Sequence, residues 1–230
     1  MSNRKKSATA TQQVASNIVV IGLGRFGSSL AKELLKGGRD VLGVDSDART
    51  VQNLSDELSD VVQADSTDET ALRELGIQDF DSAVVAIGSD LESSILTASL
   101  LLQLGVPQVW AKATSTAHGR ILKQLGVHHV IFPEMDMGKR VAHMVSGESL
   151  DYVPIDDDFV MVKTSAPELF NGKTLADMRF RSELGVTVVA TKKAGASYVP
   201  SFPETVLETG DVMIVAGRTE KVDEFCQLGK

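Results

Sequence analysis

The chain has one cysteine, Cys226, in 230 residues. An intramolecular disulfide is therefore excluded, and a lone thiol fits a reducing cytosol. No apolar run approaches the roughly 20 residues of a membrane-spanning helix. The most apolar segment, residues 95–106, is interrupted by Gln103 and Gly105. Positive charge is also scarce: 23 Lys and Arg stand against 31 Asp and Glu, a net −8, which argues against nucleic acid as a partner. Arg4, Lys5 and Lys6 are not followed by an apolar core, so they do not make a signal peptide. The four histidines, His118, His128, His129 and His143, lack zinc-type spacing, and the chain has no Walker loop or nucleophile elbow. What remains is a soluble, cytoplasmic chain, 43% hydrophobic, with core enough for one large domain or two small ones.

The most informative stretch is 17–47, NIVVIGLGRFGSSLAKELLKGGRDVLGVDSD. An apolar strand runs into Gly22-Leu23-Gly24-Arg25-Phe26-Gly27, a helical pattern follows, and a second strand ends in Asp45, 18 residues past Gly27. Strand, glycine loop, helix and acid together are the dinucleotide-binding arrangement. Gly22 permits the tight turn, Gly24 lets the backbone approach a pyrophosphate, and Gly27 lets the helix pack closely. The opening amides of that helix favour phosphate. Asp45 would accept ribose hydroxyls, or else cap the next helix, a task Ser46 or Asp47 could perform instead. An acid at this position disfavours a 2′-phosphate and hence NADP.

Short, β-branched strands alternate with helices from Asn17 to about residue 147, near 17–22, 40–45, 61–64, 82–87, 108–113 and 129–132. Asp68, Asp90 and Ser115 read as helix starts, and Gly76, Gly105 and Gly126 as left-handed stops. The expected fold is α/β, a Rossmann-like doubly wound parallel sheet over 17–148. Residues 1–16 read as a disordered tail. Residues 149–230 read as a small α+β domain with strands at 153–155, 159–162, 186–191, 197–199 and 212–215 and helices near 174–182 and 218–228. The helix near 89–105 is apolar almost all round, which calls for burial all round, under a second subunit or under the C-terminal domain.

Together these features resemble the RCK family, the regulators of potassium conductance, in its cytoplasmic Ktr/Trk branch. The marks are the glycine loop, Val44-Asp45, Gln63-Ala64-Asp65-Ser66-Thr67, Val84-Val85-Ala86-Ile87-Gly88, Trp110-Ala111-Lys112-Ala113 and Phe132-Pro133-Glu134-Met135-Asp136-Met137-Gly138. Leu175-Ala176-Asp177-Met178-Arg179 and Pro200-Ser201-Phe202-Pro203-Glu204 extend the resemblance into the second domain. It implies dimers assembled into an octameric ring beneath a membrane-embedded potassium channel or transporter. It further implies ATP activating and ADP inactivating at the Rossmann cleft, and cyclic di-AMP inhibiting between paired C-terminal domains.

The nucleotide set is Gly22, Gly24, Arg25, Phe26, Gly27, Asp45, Ser46, Asp65, Ser66, Thr67, Ala86, Ile87, Gly88 and Lys112. Arg25 sits at a helix start, where a cation is electrostatically unfavourable, which favours a role on a terminal phosphate, in its own subunit or across a dimer. Asp65, Ser66 and Thr67 follow the third strand, where adenine should lie, or simply form a turn and cap. From its position alone Glu134 is a helix-start acid; the resemblance makes it a ligand for Mg2+ or Ca2+ between facing phosphates. Two unit charges about 4 Å apart repel by about 4 kcal/mol at an effective dielectric of about 20, so facing polyphosphates need a cation. Leu175, Ala176, Arg179, Arg181 and Pro203 match the second-messenger pocket, with Arg179 standing where relatives often carry Asn.

The rival reading is an NAD(H)-dependent oxidoreductase or redox sensor, since the glycine loop and Asp45 alone suit NAD as well. The second domain, however, offers no acid–base group with an orienting partner, so a regulatory protein rather than an enzyme is expected. A nucleotide-responsive DNA-binding repressor would need a winged-helix segment that sixteen leading residues are too few to form.

Overall fold

The computed structural model describes residues 17–147, 149–156 and 158–228; the expected N-terminal tail lies outside the described residues. The chain divides into two compact units, one ending at Pro133 and the other beginning at Glu134. No helix of the described residues is long and apolar enough to cross a membrane.

In the first unit, β1 (Asn17–Ile21), β2 (Asp40–Asp45), β3 (Asp60–Gln63), β4 (Ser82–Val85), β5 (Gln108–Lys112) and β6 (His129–Ile131) form one sheet in the order β3-β2-β1-β4-β5-β6. Every pairing is parallel. Successive residues of β1 face opposite ways. Val19 and Ile21 join Leu72, Leu101 and Leu122 in one core, while Ile18 and Val20 join Ala31, Leu54 and Leu58 in the other. The helices α1 (Arg25–Lys36), α2 (Ala48–Leu54), α3 (Glu69–Glu74), α4 (Leu91–Gln103) and α5 (Thr116–Leu125) supply those two layers. Asp68, Asp90 and Ser115 cap α3, α4 and α5 as expected, each accepting a first-turn amide. Gly76, Gly105 and Gly126 all have positive φ. α4 buries Ser94, Thr97, Ala98 and Leu101 but leaves Leu91 and Leu96 nearly half exposed within its own unit.

The second unit begins at the second residue of α6 (Pro133–Val145), a helix none of whose residues is fully buried. Arg140 grips Asp151 at the start of β7 (Asp151–Asp156) through two hydrogen bonds of 2.7 and 2.8 Å. His143 stacks on Tyr152 with ring centroids 3.8 Å apart. β7, β8 (Phe159–Ser165), β9 (Val186–Lys192), β10 (Val199–Pro200) and β11 (Val212–Arg218) form an antiparallel sheet in the order β10-β9-β11-β8-β7. Pro200 sits on the edge strand, where its missing N–H costs least. α8 (Thr219–Gln227) contributes Val222 and Phe225 to a core with Phe170, Phe180, Leu207 and Met213.

The continuous helix expected over 174–182 is not formed. α7 (Leu175–Met178) starts with a capping box of Thr174 and Asp177 and stops at Arg179, whose φ is 45°. A single π turn over Phe180–Leu184 follows. The break turns Phe180 inward, 5.2 Å from Phe170 and 5.8 Å from Phe225 between ring centroids, so aromatic burial outweighs helix continuity.

His118, on α5, is 1% exposed. Its Nδ1 accepts the Thr114 N–H at 3.3 Å, which places the ring proton on a buried Nε2 with no hydrogen-bond partner. Burial disfavours the imidazolium and lowers its pKa below 6.5. The unfolded chain then takes up a proton that the folded one refuses, so stability is complete above 6.5 and falls as pH drops below it. Asp47, Asp65, Asp90, Asp151 and Asp177, whose pKa values are lowered from 3.8, act in a separate, more acidic window. Denaturant unfolding from about pH 8 to about pH 5 should show stability declining below the histidine range. His118→Asn should flatten that decline.

Candidate functional site

The sheet order reverses between β1 and β4, and the loops leaving β1, β2, β3, β4 and β5 gather at their carboxyl ends. Gly22 has φ 90°, and a Cβ there would lie 3.0 Å from the Ile87 backbone N. A Cβ on Gly27 would overlap the Gly22 carbonyl oxygen and stand 3.1 Å from Ala86 Cβ. These two glycines thus let α1 close on its own loop and let the loop close on the end of β4. Gly24 is different: a Cβ there would meet nothing within 4 Å. The space that the sequence pattern reserves for a pyrophosphate is open. Gly24 caps α1 without a side-chain hydrogen bond, and the first turn carries no acid, so the positive end of the helix faces that space. Arg25 is the first helical residue and is exposed.

Asp45 does not cap α2. Its Oδ2 accepts the Leu23 N–H at 2.6 Å and its Oδ1 the Asp47 N–H at 2.9 Å. The cap is Asp47, which takes the Arg49 and Thr50 amides and the Thr50 hydroxyl. A carboxylate has about four lone-pair sites, so Asp45 retains capacity for a ribose diol while holding the glycine loop. The Ser46 carbonyl accepts from Gln63 Nε2. Past β3, Asp65 accepts both the amide and the hydroxyl of Thr67, which holds its carboxyl below the usual range. Ser66 is buried, and its hydroxyl pairs with Thr97 of α4 at 2.8 Å. The structure therefore directs that hydroxyl into the core, and only Asp65 and Thr67 of this trio present polar atoms at the surface.

Ala86, Ile87 and Gly88 leave β4 beside the loop. Lys112 ends β5 and is 8% exposed. Its ammonium lies 5.7 Å from the Phe26 ring centroid and would lie 2.9 Å from a Cβ on Gly88. This juxtaposition of Phe26, Gly88 and Lys112 spans three separate segments, and no local sequence signal announces it.

Glu134 lies in the first turn of α6, in the second unit, beside Asp136. Among the described residues no group of three or more His, Cys, Asp and Glu comes together to hold a metal ion. The first turn of α6 thus carries two carboxylates, Glu134 and Asp136, and a cation there would need other oxygens to complete its shell.

In the second unit, Leu175, Ala176, Arg179, Arg181 and Pro203 line one cavity of about 310 Å³. Phe180, Ser182, Thr187, Val188, Ser201 and Phe202 complete it, and these the sequence reading missed. The Ser201 hydroxyl is buried without a hydrogen-bond partner. Arg179 reaches Glu183 at 3.6 Å, with both side chains largely exposed. Two guanidinium-bearing residues, hydroxyls and apolar walls suit an anionic ligand with flat apolar parts.

Fold and loop together define a class, a doubly wound Rossmann-like domain followed by a small α+β domain. Residues 18–133 match the TrkA-N domain and residues 160–228 the TrkA-C domain. The chain belongs to this family, the RCK proteins of the Ktr/Trk type. It is 37% identical to Ktr system potassium uptake protein C of Bacillus subtilis over 90% of this chain and 94% of that protein. It is 36% identical to Ktr system potassium uptake protein A of Vibrio alginolyticus over 88% of this chain and 93% of that one. Among solved structures, the GsuK channel bound to NAD shares the fold, with a TM-score of 0.67 and 18% identity over 95% of this chain and 40% of that chain.

A non-glycine residue in the left-handed region costs about 1–2 kcal/mol, less for Asn. Arg179→Asn should therefore stabilise the second unit by a net of about 0.5 kcal/mol, read as a higher denaturation midpoint, after loss of the exposed Glu183 pair, which is worth little. A lower midpoint would show that Arg179 is held by more than the turn.

Proposed function

We propose that this protein is the cytosolic regulatory subunit of a potassium channel or transporter, gated by adenine nucleotide. ATP in the β1–α1 cleft favours conduction and ADP the inactive state. The observation that carries the reading is the open, uncapped glycine loop at Gly24 in a chain whose relatives, at 34–37% identity over most of its length, are named as Ktr potassium uptake proteins. The loop amides and the α1 terminus bind phosphate, and Asp45 orients the ribose. Asp65 and Thr67 border the adenine side.

A ligand moves an equilibrium only by its differential affinity for the two states. Distinguishing ATP from ADP therefore needs a group that meets the γ-phosphate, and exposed Arg25 at the loop is that group. Mg2+ or Ca2+ on Glu134 and phosphate oxygens offsets the repulsion of facing nucleotides in paired subunits. Leu91 and Leu96 on α4, and Met135, Met137 and Val141 on α6, are exposed apolar residues that assembly into dimers and an octameric ring would cover. Residues 149–230 form the ligand-binding and dimerisation domain, where Arg179 and Arg181 bind cyclic di-AMP, which inhibits uptake. At the membrane the subunit is peripheral, held on the cytoplasmic face by its partner. The same glycine loop and Asp45 support a second reading, an NAD(H) redox sensor or oxidoreductase.

Calorimetric titration with ATP and ADP, each with and without Mg2+, tests the switch. Arg25→Ala should weaken ATP by about tenfold, as loss of one charge-assisted contact implies, and leave ADP nearly unchanged. Equal losses for both nucleotides would remove Arg25 as the γ-phosphate sensor.

A further inference from the structure

We propose that the groove between α5 and Phe132 is a ligand site of its own, separate from the nucleotide cleft, for a small aromatic phosphate monoester. The proposal stands on the groove itself and does not depend on the nucleotide reading.

The groove is a cavity of about 340 Å³ lined by Thr116, Gly119, Arg120, Lys123, Gln124 and Phe132, and none of these six residues belongs to the nucleotide set. Helical spacing builds its wall. Thr116, Arg120, Lys123 and Gln124 recur at i, i+4, i+7 and i+8, so a hydroxyl, a guanidinium, an ammonium and an amide share one side of α5. His118 and Leu122 point into the core instead, and the exposed apolar pair Ile121 and Leu125 lies on a further side of the helix. The floor is the Phe132 ring. Gly119 is buried, and a Cβ there would lie 2.3 Å from the ring's Cζ and 2.8 Å from its Cε1. The ring therefore rests on bare helix backbone, an approach that only glycine permits.

The lining holds two cations and no acid. Among the described residues neither Arg120 nor Lys123 has an ion-pair partner. A phosphate monoester carries about −1.5 to −2 at neutral pH, which matches two cations better than a single carboxylate does. Arg120 can take two of its oxygens side by side, and Lys123 adds a point charge. An aromatic ring on the ester then packs offset on Phe132. The volume sits at the lower end of the range for ligand pockets, about 300–1,000 Å³, and suits a body of this size.

The test is calorimetric titration of the full-length protein with phenyl phosphate, with inorganic phosphate and phenol as the two halves of that probe. Three proteins are compared: wild type, Arg120→Gln combined with Lys123→Gln, and Gly24→Val, whose side chain fills the phosphate space of the nucleotide cleft. Thermal unfolding of each serves as a fold control. Wild type should bind phenyl phosphate at least about tenfold more tightly than either half. The double variant should lose about tenfold or more for phenyl phosphate and keep its affinity for ATP unchanged. Gly24→Val should bind phenyl phosphate as wild type does. No binding of phenyl phosphate by wild type, or equal binding by the double variant, overturns the proposal. Loss of phenyl phosphate in folded Gly24→Val also overturns it, by placing the probe in the nucleotide cleft.

Discussion

The Asp45 carboxylate, accepting the Leu23 N–H at 2.6 Å, ties the end of the second strand to the glycine loop that follows the first. Much of the site depends on this bond. It is charge-assisted, and its donor is backbone. The loop is closed further by Gly27, which admits the Gly22 carbonyl where any side chain would stand. With strand end, loop and helix start held together, the positive end of α1 is aimed at an open space rather than at protein. A loop held in this way would not have to order its own backbone for a phosphate to bind under the proposed reading.

Much of the first unit was legible in the sequence because its signals are local. The apolar runs at 17–21, 40–45 and 82–85, the caps Asp68, Asp90 and Ser115 and the turn glycines each act within a few residues. Glycine spacing with an acid on the next strand is also a near-sequence pattern. What the sequence hid was contact across segments. Nothing in Gln63-Ala64-Asp65-Ser66-Thr67 says that the Ser66 hydroxyl turns inward to Thr97, 31 residues away. Likewise, whether Asp45 or Asp47 caps α2 could be settled only by seeing Asp45 occupied by Leu23.

The second unit was harder to read for a related reason. Its five candidate ligand residues do line one cavity, yet the backbone that presents Arg179 is a left-handed break and not a helix face. Periodicity predicts the helix. Burial of Phe180 against Phe170 and Phe225 interrupts it, and that choice belongs to tertiary packing. At the start of the same unit, the paired hydrogen bonds of Arg140 to Asp151 and the His143–Tyr152 stack fasten α6 to β7. α6 therefore belongs structurally with the C-terminal sheet, and the boundary between the units falls at Pro133 and Glu134, where the sixth strand has just ended.

The central claim is that the open space at Gly24 holds the phosphates of an adenine nucleotide. Gly24 has φ −62°, which any residue can adopt, and a Cβ there touches nothing within 4 Å. Gly24→Val should therefore still fold, with at most a modest drop in thermal midpoint because Val caps a helix less well than Gly, while filling the phosphate space. The decisive measurement is ATP and ADP binding by this variant beside wild type. The account predicts tight binding by wild type and loss of both nucleotides, by at least about a hundredfold, in the variant. A folded Gly24→Val protein that still binds ATP and ADP at wild-type affinity would place the nucleotide elsewhere and contradict the account.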